Sequence, residues 1–123
     1  MTTSLPSQIV HLELHTGDRR SASAFYSQLL DWRGEQINTD AGSYHALRLG
    51  NDLGGGIVEF GAGRAMWLPY VQVDCVDEAT DRARELGAGV LLAPREGPAG
   101  WRSVIATPED GQIALWQQKG WRL

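Results

Sequence analysis

The segment "HLELH" at residues 11–15 spaces His11, Glu13 and His15 two residues apart. Side chains alternate between the faces of an extended strand, so these three point to one side while Leu12 and Leu14 point to the other. Imidazoles and a carboxylate sharing a face can bind a divalent ion, hold a polar ligand or transfer protons near neutral pH. They can equally be the solvated side of a sheet. Glu13, in mid-strand, requires a donor or water. Its roles are therefore either general base or partner of an arginine such as Arg48 on a neighbouring strand. His15, at the strand's end beside a turn, is expected to be exposed and is a candidate ligand contact. His45 faces either the helix side or an interface, and nothing marks it as a ligand.

The elements that position these residues follow from periodicity. After the first strand, "TGD" supplies a turn and an N-cap in Asp18. Ala22, Phe25, Tyr26 and Leu29 then fall at helical spacing and predict one apolar stripe. Gly34 and the polar run "NTDAGS" break the chain. "YHALRLG" and "IVEF" read as strands, with the turn "GNDLGGG" between them and "GAGRA" as a linker after them. In "LGGG" no helix follows the glycines, which speaks against a phosphate loop and for a bulge or a close backbone approach.

The second half repeats the order. "LPYVQVD" alternates, with Val71 and Val73 on one face and Leu68, Tyr70 and Gln72 on the other. Asp74 or Asp77 can cap a helix striped by Ala79, Ala83 and Leu86, with Gly87 just past its end. "GVLLAP", "RSVIAT" and "QIALWQQ" complete three strands, joined by "REGPAGW" and "PEDG". Ala22 aligns with Ala79 and Leu29 with Leu86 at an offset of 57 residues, and the same offset places Ile57 on Ala114. This internal duplication predicts an α+β fold of two tandem βαβββ modules, about residues 9–60 and 68–117 of a single domain spanning 1–123. Helices on the outer face would leave a curled mixed sheet around a concave cleft.

Composition narrows the partners. The 123 residues are long enough to bury roughly two thirds of their unfolded surface in one core. A net charge of −4 provides no basic patch for nucleic acid or an anionic membrane. Cys75 is the sole cysteine, which rules out an internal disulfide, and its surroundings in sequence do not suggest a nucleophile. The start "MTTSLPSQ" lacks the basic and apolar regions of a secretory signal, and no apolar run reaches membrane-spanning length, so a cytoplasmic location is expected. The chain has five tryptophans. Strand parity puts Trp116 on the concave side with Tyr70 and Gln72, and Trp101 stands beside the "GPAG" loop, a candidate lip. Rigid aromatics with a few polar groups describe a small-molecule pocket, whereas Trp32 and Trp67 read as packing residues. The tail "KGWRL" either packs across a second chain or frays.

Three segments in order, "HLELHTGDRRSASAFYSQLLDW", "LPYVQVDCVDEATDRARELGAGVL" and "TPEDGQIALWQ", cover the chain from about residue 9 to 117. Together they resemble the vicinal oxygen chelate superfamily, in its small glyoxalase-like branch beside the bleomycin resistance proteins and extradiol dioxygenases. The resemblance implies a small-molecule ligand and a homodimer. In metal-dependent members, inward positions on the first and last strand of each module hold a divalent ion, here Zn, Ni, Mn or Fe. Carried onto this chain, those positions are His11 and Glu59 (or Ile57 with a register shift of two), then Leu68 and Ala114, and the last pair cannot bind metal. Tyr70 or Gln72, or a partner chain, would have to complete the site. Two expectations follow. One is a lyase, isomerase or dioxygenase-type enzyme with His11 and Glu59 as ligands and Glu13 as base. The other is a metal-free, ligand-sequestering dimer with Glu13, Tyr70, Trp101 and Trp116 as wall residues.

Overall fold

A computed structural model describes residues 6–39, 42–59 and 64–120. The chain resolves into two compact units, Val10–Leu68 and a second that starts at Pro69 and includes the segment up to Ile9. Each is a βαβββ module, and together they give the expected α+β class.

Module one comprises β1 (Ile9–Thr16), α1 (Arg19–Leu30), β2 (Gly34–Thr39), β3 (Gly42–Arg48) and β4 (Gly54–Glu59). Its strands lie in the order β2-β3-β4-β1, with β1 parallel to β4 and the other pairs antiparallel. The alternation in β1 does what it predicts. Leu14 is buried with Leu47 and Ile57, and Ala22, Tyr26, Trp32, Leu49 and Trp67 pack around them. Ile57 is fully buried, a contribution of roughly 1.5–3 kcal/mol. α1 begins where Asp18 Oδ1 accepts the Ser21 backbone N–H at 3.0 Å, satisfying one of the helix's orphan donors. It ends at Asp31, in the left-handed region at φ 60°. The apolar stripe is narrower than its periodicity implies, because Ala22 and Tyr26 reach the core while Phe25 and Leu29 are exposed.

β2 corrects the expected break after Gly34. The run "GEQINT" pairs with β3 from Gly34↔Leu47 to Thr39↔Gly42. It is an edge strand in a polar sequence, so hydrophobic patterning does not reveal it. Gly55 explains the glycine run. A Cβ there would lie 2.7 Å from the Leu12 carbonyl oxygen, so β4 approaches β1 closely, with their pairing in continuous register from His11↔Gly54 to Thr16↔Glu59.

Module two comprises β5 (Met66–Gln72), α2 (Val76–Glu85), β6 (Gly89–Glu96), β7 (Gly100–Ala106) and β8 (Gln112–Gln118), in the order β5-β8-β7-β6. β5 runs parallel to β8, whereas β8–β7 and β7–β6 are antiparallel. Val76, Ile105 and Leu115 form its core beneath Ala79 and Ala83 of α2. Thr80 on α2 and Ser103 on β7 share a buried hydrogen bond of 2.7 Å. Neither Asp74 nor Asp77 occupies the N-cap position of α2, which falls on Cys75 without a side-chain cap. The donor at the helix start is satisfied from β8 instead, since Val76 N–H donates to Gln117 Oε1 at 2.9 Å. Gly87, at φ 100°, stands just past the helix as expected.

Among the described residues, no helix is long and apolar enough to cross a membrane. Phe60 and Gly61–Gly63 of the linker, and Trp121, Arg122 and Leu123 of the tail, lie outside the described residues.

Candidate functional site

In each module the helix covers one sheet face, and the chemistry-bearing side chains gather on the other. On the helix-free face of module one, β1 brings His11, Glu13 and His15 together. His15 Nε2 is 2.8 Å from Glu13 Oε1, and His11 Nε2 is 3.7 Å from Glu13 Oε2. All three are partly buried, at 32%, 20% and 21% side-chain exposure in chain order. An ionised carboxylate only accepts hydrogen bonds, so in that state His15 Nε2 carries the proton it shares with Glu13. The β4 residues paired beside His11 and Glu13 are Gly54 and Gly56, which carry no side chains. A Cβ at either would come within 4.0 and 3.9 Å of the His11 ring nitrogens.

Glu59 is not part of this group. It pairs with Thr16, one residue out of phase with His15, and therefore lies on the helix side of the sheet with Ile57. There its Oε1 accepts the Arg19 backbone N–H at 3.0 Å, at the first turn of α1. Gln117 does the same for α2, so the two modules anchor their helix starts in the same way. The cause of the misplacement is a single residue. Leu14↔Ile57 in module one corresponds to Val71↔Leu115 in module two, so the first strands match at an offset of 57 and the last strands at 58. Such a slip exchanges the two faces of a strand.

The same register keeps the expected ligand positions from gathering donors in either module. Gly54, Gly56 and Val58 are the inward residues of β4, and in module two the corresponding strands present Leu68 and Ala114, which are buried and apolar. Among the described residues, no three His, Cys, Asp or Glu side chains are grouped as ligands for an ion. The donor set of the divalent-metal members does not fit here.

On the helix-free face of module two, Tyr70, Gln72 and Trp116 share a side as expected, with Tyr70↔Ala114 and Gln72↔Trp116 in register. The Tyr70 and Trp116 rings meet edge to face with centroids 6.1 Å apart. The Trp116 ring lies against Gly100, where a Cβ would come within 2.8 Å of its Cζ2 and Cη2. Trp101 is one residue out of phase. It packs with the core on the helix side, with Lys119 Nζ 5.6 Å from its ring centroid, so it is not a wall residue of this face. "GPAG" forms the β6–β7 turn, closed by Gly97 N–H donating to the Gly100 carbonyl at 2.7 Å. Arg102 and Arg95, not singled out from sequence, stand on the face with Trp116 through the pairs Arg102↔Trp116 and Arg95↔Arg102.

His45 takes the helix-side option, paired with Ile57. Its Nδ1 is buried and without a hydrogen-bond partner. Desolvation, followed by the nearby Arg19 charge, holds its imidazole below the ordinary 6.5.

The comparisons with known proteins bear on the family and the fold. The glyoxalase-like domain profile matches residues 10–116, and the chain belongs to that family, within the vicinal oxygen chelate superfamily. No curated protein matches the sequence. Among solved structures, a hypothetical protein from Bacillus halodurans C-125 is similar at TM-score 0.72 and 11% identity, over 95% of this chain and 98% of that one. The methylmalonyl-CoA epimerase of Mycobacterium tuberculosis is similar at TM-score 0.65 and 17% identity, over 96% and 92%. A structure titled NAD-dependent benzaldehyde dehydrogenase, from Legionella pneumophila, is similar at TM-score 0.63 and 16% identity, over 93% and 100%. At these identities the likeness is one of fold.

Proposed function

We propose that the protein is an acid–base enzyme of the glyoxalase-like family, moving a proton at the carbon next to a carbonyl of a small substrate. The observation that carries this reading is the Glu13 carboxylate set between the Nε2 atoms of His11 and His15 on one sheet face. His15, bonded to Oε1, orients the carboxylate. Oε2 takes the proton from the substrate carbon, and the C–H electron pair moves onto the carbonyl oxygen to give an enolate. His11, whose Nε2 stands 3.7 Å from Oε2 on the same face, donates to the enolate oxygen. Return of the proton from Glu13 to the neighbouring carbon restores the carboxylate and gives an isomerised product, whereas return to the same carbon gives an epimer once the enolate has turned its other face to Glu13. No step runs through a metal. The methylmalonyl-CoA epimerases among the structural neighbours support this reading by fold analogy alone.

The test is deuterium incorporation from D2O into a panel of 2-substituted acyl thioesters and α-dicarbonyl thiol adducts, followed by proton NMR. The expected result is exchange at the carbon beside the carbonyl, reduced roughly 10²–10⁴-fold by Glu13→Gln. Exchange that survives Glu13→Gln, or none above the uncatalysed rate across the panel, overturns it. The sequestering alternative loses Trp101 to the core but keeps the Tyr70–Trp116 pair. Tight binding without exchange in the same panel would favour it. The homodimer implied by the resemblance remains part of the proposal, read by sedimentation equilibrium.

A further inference from the structure

Two arginines on module two stand without a carboxylate partner among the described residues. Arg95 and Arg102 stand directly opposite one another on β6 and β7, so their charges repel across the strand pair. Neither forms an ion pair with a described carboxylate. By contrast Arg33, Arg82 and Arg84 pair with Asp31, Glu85 and Asp81. Glu96, the acidic residue next to Arg95, faces the other way. It pairs with Trp101 on the helix side and binds Lys119 Nζ at 2.7 Å. In a chain of net charge −4, with more acids than bases, leaving two guanidiniums side by side is unusual.

What accompanies them is an aromatic surface. Arg102 is in register with Trp116, whose ring is braced edge to face by the buried Tyr70. Arg102 Nη1 reaches toward the β6–β7 turn, 3.7 Å from where a Cβ on Gly97 would sit, and the Trp116 ring lies against Gly100 at the other end of that turn. A planar ring beside planar guanidinium forks suits a ligand that is flat at one end and anionic at the other. Carboxylates and phosphates both match the fork, and aromatic or conjugated bodies stack on tryptophan.

We propose that the helix-free face of module two is an anion subsite, in which Arg102 and Arg95 bind a carboxylate or phosphate and Trp116 holds the attached planar group. The subsite goes beyond the acid–base reading of Glu13 and does not rest on it. The bound anion neutralises the Arg95–Arg102 repulsion, so occupancy also stabilises the β6–β7 hairpin.

The experiment titrates the ¹⁵N-labelled full chain with phenyl phosphate, benzoate, inorganic phosphate and benzyl alcohol, reading the Trp116 indole N–H resonance assigned with Trp116→Phe. Phenyl phosphate or benzoate is expected to shift that resonance, and whichever binds tighter identifies the anion source. Inorganic phosphate and benzyl alcohol each lack one half of the ligand and are expected to bind more weakly than both. Arg102→Gln is expected to weaken binding roughly tenfold, the loss of one charge-assisted contact, and added salt to weaken it further. Arg95 is exposed, so Arg95→Gln leaves folding unaffected and still reports on the subsite if Arg102→Gln proves unstable. A Trp116 resonance that no anionic probe moves, benzyl alcohol binding as tightly as phenyl phosphate, or affinity unchanged in Arg95→Gln would overturn the proposal.

Discussion

Adjacent glycines on β4 allow a sharp test of the register that builds the site. Gly55 and Gly56 differ by one position and receive the same change to alanine. At Gly55 the new Cβ would lie 2.6 Å from Leu49 Cδ1 and 2.7 Å from the Leu12 carbonyl oxygen. The leucine side chain can yield, but the carbonyl belongs to β1 and cannot move without disturbing the ladder. Overpacking of this kind costs about 1–3 kcal/mol, and the smaller entropy of the unfolded alanine chain offsets about 0.4–1 kcal/mol of it. Gly55→Ala should therefore destabilise by about 1–2 kcal/mol, which for a chain of this size lowers Tm by roughly 3–10 °C. At Gly56 the Cβ would meet the His45 carbonyl oxygen at 3.4 Å, Tyr44 Cδ2 at 3.6 Å and His11 Nε2 at 3.9 Å, all ordinary contacts. Gly56→Ala should be neutral or stabilising by up to about 1 kcal/mol, because only the entropy gain remains. Urea unfolding followed by tryptophan fluorescence reads both variants under one protocol. Equal stabilities, or Gly56→Ala as the weaker protein, would refute the β1–β4 register and with it the assignment of His11, Glu13 and His15 to the helix-free face.

Two other outcomes follow from the same geometry. Glu59→Ala and Gln117→Ala each remove an acceptor from the start of a helix, and each should cost about 1 kcal/mol in denaturant unfolding. Glu59→Ala should leave metal content unchanged and deuterium exchange intact, whereas a ligand role would abolish one or the other. His45 titrates below its ordinary 6.5 in the folded chain, so the unfolded chain takes up that proton first as the pH falls. Stability is therefore full above about 6.5, declines as the pH drops through that value toward the folded one, and is level below it. His45→Gln should flatten this part of a pH–stability profile, and an unchanged slope would show that the buried Nδ1 is not its source.

Much of the fold was legible because hydrophobic period and capping chemistry agreed. β1 alternates as "HLELH" requires, Asp18 caps α1, Gly87 follows α2, and Trp32 and Trp67 pack in the core of module one. β2 escaped because an edge strand of Glu, Gln, Asn and Thr has no apolar face to announce it. The candidate site was half legible. His11, Glu13 and His15 share a strand, so period two places them without reference to any other element. Glu59 had to be placed through strand pairing, and the extra residue in module two put it on the wrong face. Trp101 failed because nearness to a turn does not fix a face. β7 alternates without a break along β8, and that period puts Trp101 on the helix side with Ser103 and Ile105. The arginines gave no signal because nothing in their own segment shows that they are left without carboxylates.

The account's centre is the fixed arrangement of Glu13 with His15, and long-range ¹H–¹⁵N NMR of the imidazole rings tests it without any substrate. Because the carboxylate accepts from His15 Nε2, the wild-type spectrum should show His15 as the Nε2–H tautomer near neutral pH. Glu13→Ala should release that preference and shift the His15 and His11 ring nitrogens, while His45, on the opposite face, stays in place. His15 signals unmoved by Glu13→Ala, or a wild-type His15 protonated on Nδ1 alone, would contradict the account.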